Sequence, residues 1–368
     1  MKNIIVSVAL IFSFVACAQN DFPVNESFTH EVVTKEITLP WGIDFLPNGD
    51  MLVTDKSGKL YRVVGETVTE ITGTPKVLFE GQGGLLDIAV HPDYAKNGWI
   101  YLSYSKGGKK DKDGKELGTT AIVRAKIEGN KLVGMQEVFE AQPYQPKRGH
   151  YGSRIVFDGK GYMYFSVGER QNRDENPQTL RNHLGKIHRT YDDGSIPEDN
   201  PFRNSPIAMP SIYSYGHRNP QGLVFGPDGT LWETEHGPRG GDELNIIVPG
   251  KNFGWPVISY GINYNGTSFT DITSKEGMEQ PVNYWVPSIA PCGMEYVTSG
   301  KYGDLKGDIL VGSLSFQYVN RCEMENGKVV KEEKLLKGIG RVRTIEEAAD
   351  GTIYIGVENV GIVKLVRK

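Results

Sequence analysis

Cysteine is scarce in this chain. Cys17, Cys292 and Cys322 are its three cysteines in 368 residues, which excludes a disulfide scaffold and a cysteine-rich zinc module. Net charge is also small. Lys and Arg number 41 against 45 Asp and Glu, a formal charge of -4, so the basic footprint of a nucleic-acid binder is missing. Long apolar runs are lacking too. The stretch Ile4 to Val15 is too short to cross a bilayer as a helix, and no long amphipathic helical period follows it.

That N-terminal stretch has a different meaning. Lys2, the apolar run and the small residues Ala16-Cys17-Ala18 make residues 1–18 a secretory leader, leaving 19–368 as the mature chain. A lipoprotein leader is the alternative, with Cys17 as the lipidated N-terminus. Either way the chain is exported, to the periplasm as a soluble or lipid-anchored protein without a transmembrane span. Export permits a Cys292–Cys322 disulfide, and two separate thiols fit the sequence equally well.

The abundant residues are turn formers and aromatics: Gly 45, Pro 20 and Tyr 18. They punctuate a recurring pattern of a short apolar run, a glycine turn and a second apolar run. Trp41–Phe45, Gly49 and Met51–Thr54 form the first copy. The turn glycines of the next five are Gly98, Gly161, Gly229, Gly307 and Gly351. Between copies lie further strand candidates, such as Leu60–Val64 paired with Val77–Phe79, and Ala121–Ala125 paired with Lys131–Val133. A unit of four short strands cannot bury its own faces, so six copies predict a closed radial array. The fold expected is all-β, a six-bladed β-propeller with four antiparallel strands per blade. Two β-sandwiches are the alternative.

Polar residues gather just ahead of the first strand of several copies: Gln82, His150, Arg218 with Asn219, and Arg341 with Arg343. His150, Asn219 and Arg341 stand at nearly equal distances ahead of turn glycines 161, 229 and 351. In a radial repeat, equal offsets put them on one face, around the central channel. Guanidinium forks suit a ligand with several carboxylates or phosphates, and a lone histidine among them is a general-base candidate. The loop Glu235–Glu243 adds exposed main-chain carbonyls and the carboxylates of Asp242 and Glu243. Such hard oxygen donors favour Ca²⁺ over Zn²⁺, and His236 alone is weak support for zinc. A solvated acidic loop is the other reading.

The motifs Gly81-Gln82-Gly83-Gly84, His150-Tyr151-Gly152-Ser153-Arg154, Gly216-His217-Arg218-Asn219-Pro220, Glu235-His236-Gly237-Pro238-Arg239-Gly240-Gly241-Asp242-Glu243 and Gly340-Arg341-Val342-Arg343 closely resemble the glucose/sorbosone dehydrogenase family of soluble quinoprotein sugar dehydrogenases. The resemblance runs from about Trp41 to the C-terminus. It implies a six-bladed propeller that holds the tricarboxylate pyrroloquinoline quinone (PQQ) with Ca²⁺ and oxidises aldoses to lactones; the final electron acceptor, a quinone or a cytochrome, is left open by the sequence. It also implies roles. His150 would be the base. Gln82, Arg218, Asn219, Tyr264, Ser315, Arg341 and Arg343 would occupy cofactor-binding positions. Gly237 and Pro238 would offer main-chain oxygens to the calcium at the quinone, and Glu243 with the main chain of Phe253 a further calcium site.

Position 315 departs from the pattern. The family usually has a lysine there, whereas this chain has Ser315. Losing one charge-assisted hydrogen bond costs about 1.5–3 kcal/mol, roughly ten- to a hundredfold in affinity. That departure keeps open a non-catalytic carbohydrate- or quinone-binding propeller. A calcium-dependent sugar lactonase is a third possibility on the same architecture.

Overall fold

The glycine turns do what their positions demand. Gly49, Gly229 and Gly351 adopt φ of 88°, 85° and 78°, a region that a Cβ disfavours, and each closes a hairpin between two apolar runs. In the computed structural model, which describes residues 21–368, these hairpins are the inner halves of six four-stranded antiparallel sheets. The expected leader at 1–18, with Cys17, lies outside the described residues.

Strand β1 spans Phe28–Thr34. Blade one follows with β2 (Pro40–Phe45), β3 (Met51–Asp55), β4 (Lys59–Val64) and β5 (Thr67–Ile71). Blade two has β6 (Leu85–Val90), β7 (Ile100–Lys110), β8 (Glu116–Glu128) and β9 (Lys131–Glu140). Blade three has β10 (Ile155–Phe157), β11 (Tyr162–Val167), β12 (Lys186–Tyr191) and β13 (Ile212–Tyr215). Blade four has β14 (Pro220–Phe225), β15 (Leu231–Glu235), β16 (Asp242–Ile246) and β17 (Asn283–Trp285). Blade five has β18 (Pro291–Tyr296), β19 (Ile309–Ser313), β20 (Tyr318–Glu325) and β21 (Lys328–Leu335). Blade six has β22 (Val342–Glu347), β23 (Ile353–Val357) and β24 (Gly361–Arg367), and takes β1 as its outermost strand. The β1–β24 register runs from Phe28↔Arg367 to Thr34↔Ile362, so the two ends of the chain close the ring within one sheet.

The core lies between blades, not within them. Leu52 and Leu60 of blade one pack on Leu85, Ile100 and Leu102 of blade two. Tyr101 and Ile122 of blade two meet Ile155, Met163 and Phe165 of blade three. Comparable buried clusters join blades three and four, four and five, five and six, and six and one. Each sheet thus covers the face its neighbour cannot bury alone.

One expected pairing is corrected. Leu60–Val64 pairs with Thr67–Ile71, and Val77–Phe79 is not a strand. Gly65 at φ 58° allows a two-residue turn, so the chain folds back at once onto polar residues that carry no apolar signal.

The six innermost strands ring the axis. All of them line one cavity of about 290 Å³, through residues such as Ile43, Asp87, Ile155, Leu223, Glu295 and Ile345. A second cavity, about 260 Å³, opens where these strands begin. Arg154 stands between the two. Its guanidinium lies 4.3 Å from the Trp41 ring centre and donates to the Gln221 carbonyl and to Asp87 Oδ1.

Candidate active site

A local irregularity aims side chains into the upper cavity. The register slips near the start of β2, β6, β14, β18 and β22, between Pro40 and Gly42, Leu85 and Ile88, Pro220 and Gly222, Pro291 and Met294, and Val342 and Thr344. A β-bulge re-aims the extra residue. Trp41, Leu86, Gln221 and Arg343, all within these slips, line the 260 Å³ cavity together with Lys56, Gln82, Tyr151, Asn219, His236, Arg341 and Glu358.

His150 stands on the loop leading into β10, with φ of 55°, and Ser153 of the same loop has φ of 91°. Such backbone persists only where neighbours over-determine it. Gln82 Oε1 accepts the His150 N–H at 2.7 Å, Asn219 Oδ1 accepts the Gly152 N–H at 3.1 Å, and Gln221 Nε2 donates to the Gly152 carbonyl at 3.0 Å. Both carboxamide oxygens are therefore spent on the loop. The NH₂ ends of Gln82 and Asn219 have no partner among the described residues, although both residues line the cavity.

The imidazole has a partner that sequence reasoning missed. Glu169 Oε1 lies 2.6 Å from His150 Nδ1, and Glu169 is 1% exposed. A carboxylate only accepts, so Nδ1 carries the proton and Nε2 keeps its lone pair. Burial first, then the Arg218 charge, lowers the imidazole below its ordinary value and outweighs Glu169. His150 is thus a neutral base at neutral pH. Arg170, the next residue, donates to the carbonyls of Lys147 and Gly149 and lies 3.4 Å from the Tyr151 ring centre. Glu169 follows the apolar strand Tyr162–Val167 with only Gly168 between, and no sequence signal sets it apart from Asp174 or Glu175 nearby.

The cations are arranged unevenly. Arg341 and Arg343 share Glu358, with Nε distances of 2.8 and 3.1 Å to its two oxygens. Arg218 donates to the His236 carbonyl at 3.0 Å, and its other nitrogen lies 3.4 Å from the Tyr264 hydroxyl. Tyr264 is 72% exposed. Gln82, Asn219, Arg341 and Arg343 thus line one cavity, and His150, Arg218 and Tyr264 adjoin it through these contacts. Ser315 does not line the cavity. It is exposed on the turn after β19, where Leu314 faces inward instead. His236 Nε2 lies 2.6 Å from the Pro291 carbonyl, and burial with the nearby Arg218 pushes its imidazole down to about 3. That nitrogen is a donor to protein, which removes it as a zinc ligand.

A second group of polar atoms lies in blade four. The β15–β16 register places Glu233 opposite Asn245 and Glu235 opposite Glu243, so alternate residues share one face. His217 Nδ1 lies 3.1 Å from Glu235 Oε1, and the Phe253 ring stacks on His217 at 4.6 Å. Glu233 Oε1 and Asn245 Oδ1 are buried without partners. Burial first, and then the Glu235 charge, push the Glu233 and Glu243 carboxyls well up. Crowded, buried, unpaired oxygens of this kind fit a hard cation. Gly237 and Pro238 are buried beside this strand pair. The Gly237 N–H donates to Asp242 Oδ1 at 2.8 Å, and Asp242 also receives Ser288 Oγ and the Ala290 N–H. Asp242 therefore braces the loop.

Cys292 and Cys322 are separate, buried thiols. The Cys292 sulfur lies 3.5 Å from Arg343 Nη1.

The chain is thus a six-bladed propeller with a neutral imidazole beside an axial cavity lined by Arg341 and Arg343, and comparison with known proteins assigns its family. The family model described as Glucose / Sorbosone dehydrogenase matches residues 37–366, and the chain belongs to that family. It is 38% identical over 332 residues to the aldose sugar dehydrogenase YliI of Escherichia coli, covering 88% of each chain. It is 31% identical over 260 residues to quinoprotein glucose dehydrogenase B of Acinetobacter calcoaceticus, covering 64% of this chain and 54% of that one. The crystal structure of the soluble E. coli aldose sugar dehydrogenase in its apo-form superposes with a TM-score of 0.88 at 36% identity, over 93% of this chain and all of that one. The PQQ-bound aldose sugar dehydrogenase of Streptomyces coelicolor superposes with a TM-score of 0.76 at 28% identity, over 94% and 99%.

Proposed function

We propose that this protein oxidises aldoses at the anomeric carbon to lactones, using PQQ in the upper axial cavity and Ca²⁺. The observation that supports this best is the His150–Glu169 pair, with Nε2 unprotonated, beside the arginine-lined cavity. When bound, PQQ supplies the acceptor for a hydride from the anomeric carbon. His150 Nε2 takes the proton of the hydroxyl on that carbon. The anomeric C–OH group thus loses its hydroxyl proton and the hydride on its carbon, and becomes the lactone carbonyl. Glu169 holds the ring and stabilises its protonated form.

Arg218, Arg341 and Arg343 meet the carboxylates of the cofactor, and Gln82 and Asn219 offer their spare NH₂ donors. Tyr264 and Ser315 flank this site. The Gly237 and Pro238 carbonyls hold the calcium at the cofactor, and Glu243 with the Phe253 carbonyl holds another. The unpartnered oxygens of Glu233 and Asn245 fit that charge. Residues 1–18 direct the chain to the periplasm, and among the described residues no helix is long and apolar enough to cross a membrane.

The test is reconstitution of purified protein with PQQ and Ca²⁺, followed by dye reduction with glucose and other common aldoses. Wild type should reduce the dye and His150→Ala should not. A wild type inert toward every aldose, or a fully active His150→Ala, defeats the proposal.

A further inference from the structure

The upper cavity holds a cation that neither the repeat pattern nor the family motifs single out. Lys56 lines it together with Gln82, Arg341 and Arg343. The backbone fixes its position from two sides. The Lys56 N–H donates to the Leu39 carbonyl at 2.9 Å, and its own carbonyl accepts the Leu85 N–H at 3.1 Å. The residue is therefore tied to the chain leading into β2 and to the start of β6, both of which open onto the axis.

Its ammonium has no ion-pair partner among the described residues, whereas Arg341 and Arg343 share the Glu358 carboxylate. The ammonium donates once, to the Gly81 carbonyl at 2.9 Å, which leaves two of its three protons for a ligand or water. It is half-buried, and its burial, then the charges of Arg343 and Arg341, lower its pKa against the opposing pull of Glu358 and Asp55. Three cations, Lys56, Arg341 and Arg343, thus face the cavity with the single carboxylate of Glu358 among them, an excess of positive charge that a bound anion relieves. Ser315, next to the lining residue Leu314, offers no cation and does not itself line the wall.

We propose that Lys56 is an anion-binding residue of the axial cavity, meeting a carboxylate of the bound quinone and supplying the positive charge that position 315 lacks. This rests on the PQQ reading above. A purely structural role for Lys56, holding Gly81 and with it Gln82, is separable. Lys56→Gln removes the charge and leaves an amide donor, one bond shorter, for the Gly81 carbonyl, and the melting temperature reports whether that structural link survives.

The experiment titrates apo-protein with PQQ in calcium buffer and reads quenching of tryptophan fluorescence, for which Trp41 in the cavity wall is placed. Lys56→Gln should weaken PQQ binding ten- to a hundredfold and flatten its dependence on salt, with an unchanged melting temperature. Ser315→Lys should recover most of that loss in the Lys56→Gln background and add little to wild type. Binding by Lys56→Gln within twofold of wild type overturns the assignment while leaving the PQQ reading intact. Equal gains from Ser315→Lys in both backgrounds also overturn it, because the two cations would then act independently. Failure of wild type to bind PQQ defeats both readings. Should Lys56→Gln melt early, the Ser315→Lys pair of titrations in Lys56→Met and wild type decides by the same criterion.

Discussion

An imidazole accepts a proton only at a nitrogen whose lone pair is free, and at His150 the choice of nitrogen is made by Glu169. Glu169→Gln keeps the shape and removes the charge that stabilises the protonated ring. The expected result is a fall in kcat of about 10²–10³, within the usual range for a positioned acid–base group. The pH profile gives a second reading. Burial and Arg218 lower the His150 pKa while Glu169 raises it, so without the carboxylate the acid limb of kcat/KM should move to lower pH. An acid limb that stays in place while kcat falls would mean that Glu169 acts only through folding. His150 was legible in the sequence because its motif is local. Glu169 was not, because nothing in Gly168–Asn176 separates it from Asp174 or Glu175; the β10–β11 hairpin brings it to the imidazole across 19 positions.

Elements decide where these side chains point. Gly152 has φ of 63°, and a Cβ there would lie 2.7 Å from the Gly168 nitrogen and 3.0 Å from the Ser166 carbonyl oxygen. Both are backbone atoms of the chain that carries Glu169, and neither can swing aside. Gly152→Ala should therefore push the His150 loop away from its partner and lower kcat by about a hundredfold, since a displacement near 1 Å is enough for that. Activity should fall far more than the melting temperature, and the reverse pattern would refute the assignment. At this scale the sequence was readable where turns are glycine-marked and strands apolar, as in Gly222–Glu233. It was unreadable where elements are short and half-exposed, as in Asn283–Trp285, or polar, as in Thr67–Ile71. The bulges that aim Trp41, Leu86 and Arg343 leave no mark in an alternating pattern.

Closure of the ring is a property of the whole chain. Phe28 on β1 is 4% exposed and packs against Tyr302, Leu365 and the rest of the cluster between blades five and six, so Phe28→Ala should cost about 3 kcal/mol. Val32 on the same strand is 45% exposed, and Val32→Ala should leave the melting curve unchanged. The ring also has two unlike ends. The upper cavity is basic, whereas the lower one gathers Asp44, Asp87, Glu295 and Glu346 around a single cation, Arg154. Burial pushes Glu295 up to about 8, helped by Glu347, and Asp44 up to about 7. Burial and then Glu295 push Glu346 well up, and Asp87 is raised by burial against the pull of Arg154. A folded-state pKa above the unfolded value means that the folded chain keeps a proton the unfolded chain releases. For Glu295 stability is then lost as pH rises from about 4.5 toward 8. Glu295→Gln cannot ionise and escapes that loss. Its melting temperature in calcium-free buffer should gain on wild type steadily between pH 5 and pH 8.5, as thermal melts at stepped pH would show. A difference between the two that stays constant over this range would mean that Glu295 is ionised in the folded channel at both extremes, its charge carried by Arg154 and the surrounding backbone N–H groups.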